Sequence, residues 1–291
     1  MANETKPTTN DRRSLGTFVA AMLIFGTVGV LRRSIPLPSA LLASVRGILG
    51  GLFLLIYMML RRQGSLRMPR RTLLRLILTG AMIGVNWMLL FEAYNHTTVA
   101  VATLCYYMAP TMVILLSPLL FRERLTVRKA LCAAVSLVGM VLVSGVVGEG
   151  GGNLRGLLLG LGAAAFYAAV VLLNKGTSGV EPFPRTTVML LSAGLVMVPY
   201  LLFTGGFSGG SFSPLSLLLL LVLGIVHTGV AYALYFGSMD GLRLQTVAVF
   251  SYIDPVSALL FSALLLREPL TPLAVLGAVL ILGSAVVSEL R

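Results

Sequence analysis

The sequence contains few charged residues and few groups that could carry chemistry. Charged side chains make up 11% of its 291 residues, and ten residues are acidic, whereas an ordinary soluble domain carries about 25% charged residues. Cys105 and Cys132, the two cysteines, fall inside apolar runs, which argues against a disulfide framework or a zinc site. The chain has no G-x-x-x-x-G-K-[ST] phosphate loop and no H-E-x-x-H motif. We therefore expect neither an enzyme nor a nucleotide-driven pump, and no cofactor.

Most of the chain is apolar. Hydrophobic residues account for 57% of it, and its mean hydropathy is +0.95. About 20 apolar residues are needed to cross a bilayer core as a helix. Continuous runs without period-two alternation favour helices over barrel strands. The sequence predicts an all-α polytopic membrane protein with ten spans, at residues 15–31, 38–60, 72–94, 97–120, 126–147, 154–174, 184–204, 214–237, 243–266 and 272–288.

The basic residues are distributed unevenly between the two sides predicted for these spans. Of 22 basic residues, seventeen fall on the side of both termini, Arg46 falls within span 2, and four fall on the other side: Arg32, Arg33, Arg155 and Arg267. Positive charge is retained in the cytoplasm during insertion. We therefore expect both termini to be cytoplasmic, in a bacterial inner membrane, with residues 1–14 as a cytoplasmic tail. The net charge of +12 follows from topology, and no nucleic-acid partner is expected.

One phrase occurs twice in the chain. Residues 119–126 read LLFRERLT and residues 264–271 read LLLREPLT, 145 positions later. The match extends without a gap over residues 106–126 and 251–271, where ten of 21 positions are identical. Two units, residues 15–147 and 154–288, would then hold five spans each, and an odd number of spans gives the two units opposite orientations. Inverted repeats of this kind are a recurring plan of secondary transporters.

The repeated phrase can have either of two roles. Its Arg-Glu pair can cap helix ends in a hairpin, with Thr126 and Thr271 as the N-caps of spans 5 and 10. The alternative is a direct part in gating. Opposite orientation of the repeats places Glu123 on the cytoplasmic side and Glu268 on the other.

The paired segments APTMVILLSPLLFRERLT and DPVSALLFSALLLREPLT are each followed by a glycine-containing helix, SLVGMVLVSG and VLGAVLILGS. In these features the chain resembles an EamA-type member of the drug/metabolite transporter superfamily over nearly its whole length. The resemblance implies a ten-helix inner-membrane carrier that exports amino acids, related metabolites or drugs through a cavity between its halves. It does not define the substrate.

Ionisable groups at mid-membrane are costly, by about 2.5–3.5 kcal/mol for Asp or Arg. Asp254, directly before Pro255, is the acidic residue well inside a span, and its repeat counterpart is Ala109, before Pro110. Asp254 can bind a substrate ammonium, carry a proton, or neutralise Arg46. Arg46 in turn can pair with Asp254, bind a substrate carboxylate or extend towards the surface. Pro110 and Pro255 predict mid-helix breaks, where this architecture places its site and hinge.

Aromatic and amide side chains recur away from the predicted membrane interfaces. They predict a cavity lining, although tyrosines at helical spacing also serve as core residues. The candidates are Asn86, Trp87, Tyr106, Tyr107, Tyr167, Tyr232, Tyr235 and Tyr252. His227 can carry protons or pack as a hydrogen-bonded core residue.

These residues suit a small-molecule partner, and amino acids with apolar or aromatic side chains fit best. The function predicted is a secondary transporter that exports amino acids by alternating access, and a monomer in the lipid bilayer is compatible with this plan. The alternatives are a multidrug or organic-cation exporter, and a passive facilitator or channel.

Overall fold

The computed structural model describes residues 9–121, 126–144, 153–174, 179–207, 210, 212–239, 242 and 244–289. Ten helical spans follow one another, as predicted. Six are single helices: Ser39–Arg61 (span 2), Arg70–His96 (span 3), Val127–Val143 (span 5), Leu154–Asn174 (span 6), Pro182–Thr204 (span 7) and Pro272–Glu289 (span 10). Four are interrupted: Thr9–Gly26 with Val28–Arg33 (span 1), Val99–Tyr106 with Ala109–Phe121 (span 4), Pro214–Gly224, Ile225–Val230 and Ala231–Met239 (span 8), and Leu244–Phe250 with Ile253–Leu265 (span 9).

Seven of the described spans are long and apolar enough, by length and composition, to cross a membrane. Two shorter apolar helices occur in spans 9 and 10. Span 1 begins at Thr9, within the segment predicted as a tail. The difference arises because hydropathy marks where a helix enters the bilayer, whereas a helix can start among polar residues outside it.

The expected caps in the repeated phrase are confirmed. The Oγ1 atom of Thr126 accepts a hydrogen bond from Lys129 N at 3.4 Å, and that of Thr271 accepts one from Ala274 N at 3.1 Å. Arg122 and Glu123, in the first copy of the phrase, lie outside the described residues.

Spans 4 and 9 are both interrupted just before a proline. The first helix of span 4 ends at Tyr106, four residues before Pro110, and that of span 9 ends at Phe250, five residues before Pro255. Proline collides with the carbonyl group four residues earlier but is tolerated in the first turn of a helix. In both spans one helix ends and a second helix begins, with the proline in the first turn of the second. The predicted mid-helix breaks are therefore present at corresponding positions of the two repeats.

The packing of the spans has the symmetry of the repeat. Span 3 packs on span 6 and span 8 packs on span 1, while span 4 packs on span 6 and span 9 packs on span 1. If spans 1–5 are exchanged with spans 6–10, the contact of spans 3 and 6 becomes that of spans 8 and 1. In the same way, the contact of spans 4 and 6 becomes that of spans 9 and 1. Spans 2 and 7, and spans 5 and 10, pair with their own counterparts. The fold is thus two inverted five-helix repeats whose contacts follow the repeat symmetry span by span.

Glycines form the contacts where spans 2 and 7 meet. A Cβ atom on Gly47 would lie 2.6 Å from Gly194 N, and one on Gly194 would lie 2.6 Å from both Ile48 N and Ser44 O. The Ser44 hydroxyl donates to Gly194 O at 2.9 Å. Small residues that let two backbones touch are typical of helix association in membranes.

We expect Gly194→Ala to destabilise the protein, because backbone atoms cannot move aside for the added methyl group. Overpacking of this kind costs about 1–3 kcal/mol, and it should lower the unfolding temperature in detergent. The matched control is Gly162→Ala, whose Cβ would meet Leu89 Cδ1 at an ordinary 3.6 Å. Equal unfolding temperatures for the two variants would contradict the close approach of spans 2 and 7.

Candidate functional site

Arg46 lies in the middle of span 2, almost completely buried, with 5% of its surface accessible. Its Nε donates to the Thr228 hydroxyl at 2.8 Å, and its guanidinium carbon lies 4.1 Å from the centre of the Trp87 ring. A cation over an indole face is stabilised, most strongly where water is excluded. The terminal nitrogens Nη1 and Nη2 have no hydrogen-bond partner among the described residues and are not fully enclosed. Arg46 therefore presents two free donors to the interior of the bundle.

An irregular turn in span 8 places the partner of Arg46. Residues Ile225–Val230 form a π-helix, and the Thr228 hydroxyl donates to Leu223 O at 3.0 Å while it accepts from Arg46. Gly50, one turn after Arg46, lets span 2 approach, because a Cβ there would lie 2.4 Å from Thr228 Cγ2. Single π-turns inside α-helices frequently occur at functional sites.

Asp254 lies in the first turn of the second helix of span 9. The Tyr107 hydroxyl, at the break in span 4, donates to its Oδ2 at 2.7 Å. Asp254 is two residues, or about 200° of helix rotation, from Val256, which is 45% exposed on the outer surface. Asp254 therefore faces the bundle interior, and the bond to Tyr107 joins the breaks of the two repeats.

Arg46 and Asp254 interact through space without contact. No Arg46 nitrogen comes within 4.0 Å of a carboxylate oxygen in the described part of the chain, so the direct pair that the sequence allowed is not formed. Asp254 is the carboxylate whose charge acts on Arg46 across this gap. The structure also excludes the surface-directed alternative for Arg46, because Thr228 and Trp87 hold its side chain inside. One positive and one negative group thus face a common space between the repeats.

Tyrosines from spans 4, 6 and 9 line this space. The ring of Tyr106 is 5.4 Å from Tyr167 and 5.9 Å from Tyr107, and Tyr107 is 6.4 Å from Tyr252. Tyr167 keeps 40% of its surface accessible. Its ring contact with Tyr106 places it beside the tyrosines of span 4.

A second aromatic group flanks it on spans 1 and 8. Tyr232 stacks on Phe236 at 5.9 Å and meets Phe25 at 5.1 Å, while Tyr235 lies 4.9 Å from Phe236 and 5.3 Å from Phe18. Tyr232 packs against the core that contains Trp87, the ring that Arg46 covers, whereas Tyr235 packs against Phe18. Tyr232 therefore belongs to the site and Tyr235 to its packed border.

Two of the predicted candidates have packing partners. The Asn86 side chain is fully buried and donates to Ala163 O of span 6 at 2.5 Å. His227 contacts the Thr27 hydroxyl through Nε2 at 2.9 Å and Val222 O through Nδ1 at 3.2 Å, which a neutral ring satisfies. Each side chain ties the third span of one repeat to the first span of the other. The structure thus favours the packing interpretation of His227.

Thr228 belongs to the site although its sequence pattern did not indicate it. A threonine in an apolar run resembles any small core residue. The break at Thr27 in span 1 and the π-turn in span 8 were also missed, because neither contains proline.

Fold and site together define a polytopic membrane transporter with a polar, aromatic-lined interior between inverted repeats. Residues 13–145 and 154–289 each match the EamA-like transporter family. The chain belongs to this family.

Similar proteins include the uncharacterized transporter YxxF of Bacillus subtilis, 29% identical over 83% of this chain and 78% of that protein. An uncharacterized transporter of Archaeoglobus fulgidus is 28% identical over 93% of this chain and 94% of its own length. Protein PecM of Dickeya dadantii is 26% identical over 92% and 90% respectively. A solved crystal structure aligns with a TM-score of 0.65 at 22% identity, over 95% of this chain and 97% of that one, which supports the fold.

Trp87 is the single tryptophan of the chain, so its fluorescence reports on the cation above it. We expect Thr228→Val to shift the emission in the same direction as Arg46→Gln, because losing the acceptor frees the guanidinium to leave the ring. Thr187→Val is the control, since the buried Thr187 hydroxyl has no hydrogen-bond partner in the described structure. An emission spectrum that Arg46→Gln leaves unchanged would show that the cation does not sit on the indole.

Proposed function

We propose that this carrier exports amino acids with apolar or aromatic side chains by alternating access. Two opposite charges in one interior space support this proposal. A free amino acid carries a carboxylate and an ammonium group, which complement Arg46 and the Asp254–Tyr107 pair. Neither charge neutralises the other directly among the described residues, so a ligand that bridges them would complete both.

The aromatic surroundings account for the side-chain preference. Tyr106, Tyr167 and Tyr232 offer apolar ring faces next to the charges. Rings prefer offset or edge-to-face contacts with one another, worth about 0.5–1.5 kcal/mol each. An aromatic or large apolar side chain would therefore bind here better than a charged one.

The proposal also includes the orientation of the carrier and the membrane in which it lies. We place both termini in the cytoplasm of a bacterial cell and the carrier in its inner membrane, because seventeen of the 22 basic residues fall on the terminal side. Asp254, Pro110 and Pro255 lie where the repeats meet, so a change in the helix breaks would open the site to one side at a time.

A test of this proposal measures counterflow in proteoliposomes with phenylalanine, its amide and its N-acetyl derivative. The amide lacks the carboxylate charge and the N-acetyl form lacks the ammonium charge. We expect the wild-type carrier to prefer phenylalanine over both by at least about tenfold, because a hydrogen bond to a charged group contributes about 1.5–3 kcal/mol.

The variants separate the two charges. Arg46→Gln should lose the preference over the amide, and Asp254→Asn should lose the preference over the N-acetyl form. Wild-type transport of the amide as fast as the amino acid would instead favour an organic-cation exporter. Flux without counterflow would indicate a passive channel.

We also expect Asp254 to couple substrate flux to protons, by binding a proton and the substrate ammonium group in turn. It faces Tyr107 and interacts with Arg46, and no basic nitrogen among the described residues neutralises it directly. An imposed pH gradient should accelerate substrate flux in the wild type and leave Asp254→Asn unaffected. Equal wild-type rates with and without the gradient would mean facilitated diffusion.

A further inference from the structure

Two adjacent arginines at the end of span 1 bind different partners. Arg32 donates to Ile35 O at 3.0 Å and to Ser39 and Asn95, both at 3.1 Å. Ser39 and Asn95 in turn bond Glu92 at 2.7 and 3.0 Å. All of these residues belong to the first repeat. This cluster therefore holds spans 1, 2 and 3 together and does not connect the repeats.

Arg33 instead reaches the second repeat. Its Nη2 lies 3.1 Å from Glu268 Oε1 and also donates to Thr97 O of its own repeat at 2.9 Å. Glu268 accepts a hydrogen bond from the Val99 backbone N–H, at the start of span 4, at 2.8 Å. The Ser262 hydroxyl donates to the same carboxylate. Glu268 is the glutamate of the repeated phrase, and it caps a helix of the other repeat.

These contacts lie on one face, which we call the distal face because it carries the connections after spans 1, 3, 5, 7 and 9. On this side, helix Ile253–Leu265 of span 9 packs on Val99–Tyr106 of span 4 and on Val28–Arg33 of span 1. Repeat symmetry relates the first of these contacts to one between Ala109–Phe121 and Leu244–Phe250 on the opposite side. The described residues of those two helices do not pack together to a comparable extent. Among the described residues, the distal face therefore has a contact between spans 4 and 9 that has no comparable counterpart on the opposite side.

We propose that Arg33 and Glu268, with Val99 and Ser262, form a latch that keeps the distal face closed and opens once in each transport cycle. This proposal rests on the alternating access proposed above. The two charged residues of the latch differ in burial and in the number of bonds they make to the other repeat. Glu268 has 10% of its side chain exposed and three partners, whereas Arg33 has 36% exposed and retains Thr97 O when the repeats separate. Glu268 is thus the partner whose loss should open the face more.

The first test measures distances in the full-length protein without substrate. Spin labels are attached at Ser34 and Arg267, both exposed on the distal face and on different repeats, in a Cys105→Ala, Cys132→Ala background. Glu268→Gln should raise the ratio of long to short distances about tenfold over the parent. Arg33→Gln should raise it less, because the cap on Val99 remains. Arg155→Gln is the control. Like Arg33→Gln it removes one positive charge, but from an exposed position of the second repeat that makes no latch contact. Unchanged distances in both latch variants would overturn the proposal.

The second test locks the latch. A disulfide between Arg33→Cys and Glu268→Cys should stop counterflow, and a reductant should restore it. The control joins Ser39→Cys to Glu92→Cys, a hydrogen-bonded pair on the same face but within one repeat, and counterflow should continue. Transport that persists with the first disulfide formed would refute the latch. If the wild type carries no amino acid, the proposed function fails, and the label distances still decide the latch.

Discussion

A hydrogen bond between two broken helices is the interaction on which this structure depends. Tyr107 and Asp254 lie at the interruptions of spans 4 and 9, and each interruption is followed by a proline, which disfavours a continuous helix. A broken helix in hydrocarbon needs polar partners for the groups it frees. Turns within each span bond backbone groups at the breaks, Met108 N to Cys105 O in span 4 and Asp254 N to Ser251 O in span 9. The Tyr107–Asp254 side-chain bond joins the two breaks.

The overall fold could be predicted from the sequence because its signals are strong and local. Apolar runs of bilayer length give the ten spans, and two segments 145 residues apart give the repeat. The helix breaks were predicted from Pro110 and Pro255, because proline disfavours a continuous helix. Proline alone does not decide a break, since Pro199 lies inside the continuous helix Pro182–Thr204. Interruptions without proline, at Thr27 and at Ile225–Val230, depend on tertiary contacts and could not be predicted.

The site could be predicted in part. Asp254 and Arg46 stood out because charges in apolar runs are rare, but their partners Tyr107 and Thr228 are defined only by the packing of distant spans. Asn86 and His227 stood out for the same reason, and the structure uses both to join spans of different repeats. Polarity inside the membrane therefore marks positions that need a partner, and only the fold distinguishes a substrate partner from a neighbouring helix.

The charges of the two repeats are unequal. Asp254 has no carboxylate counterpart in the first repeat, where Ala109 occupies the corresponding position. A symmetric dimer of two identical five-helix units would carry at this place either two carboxylates, which repel each other across the axis, or none. A single chain with two different halves can carry one.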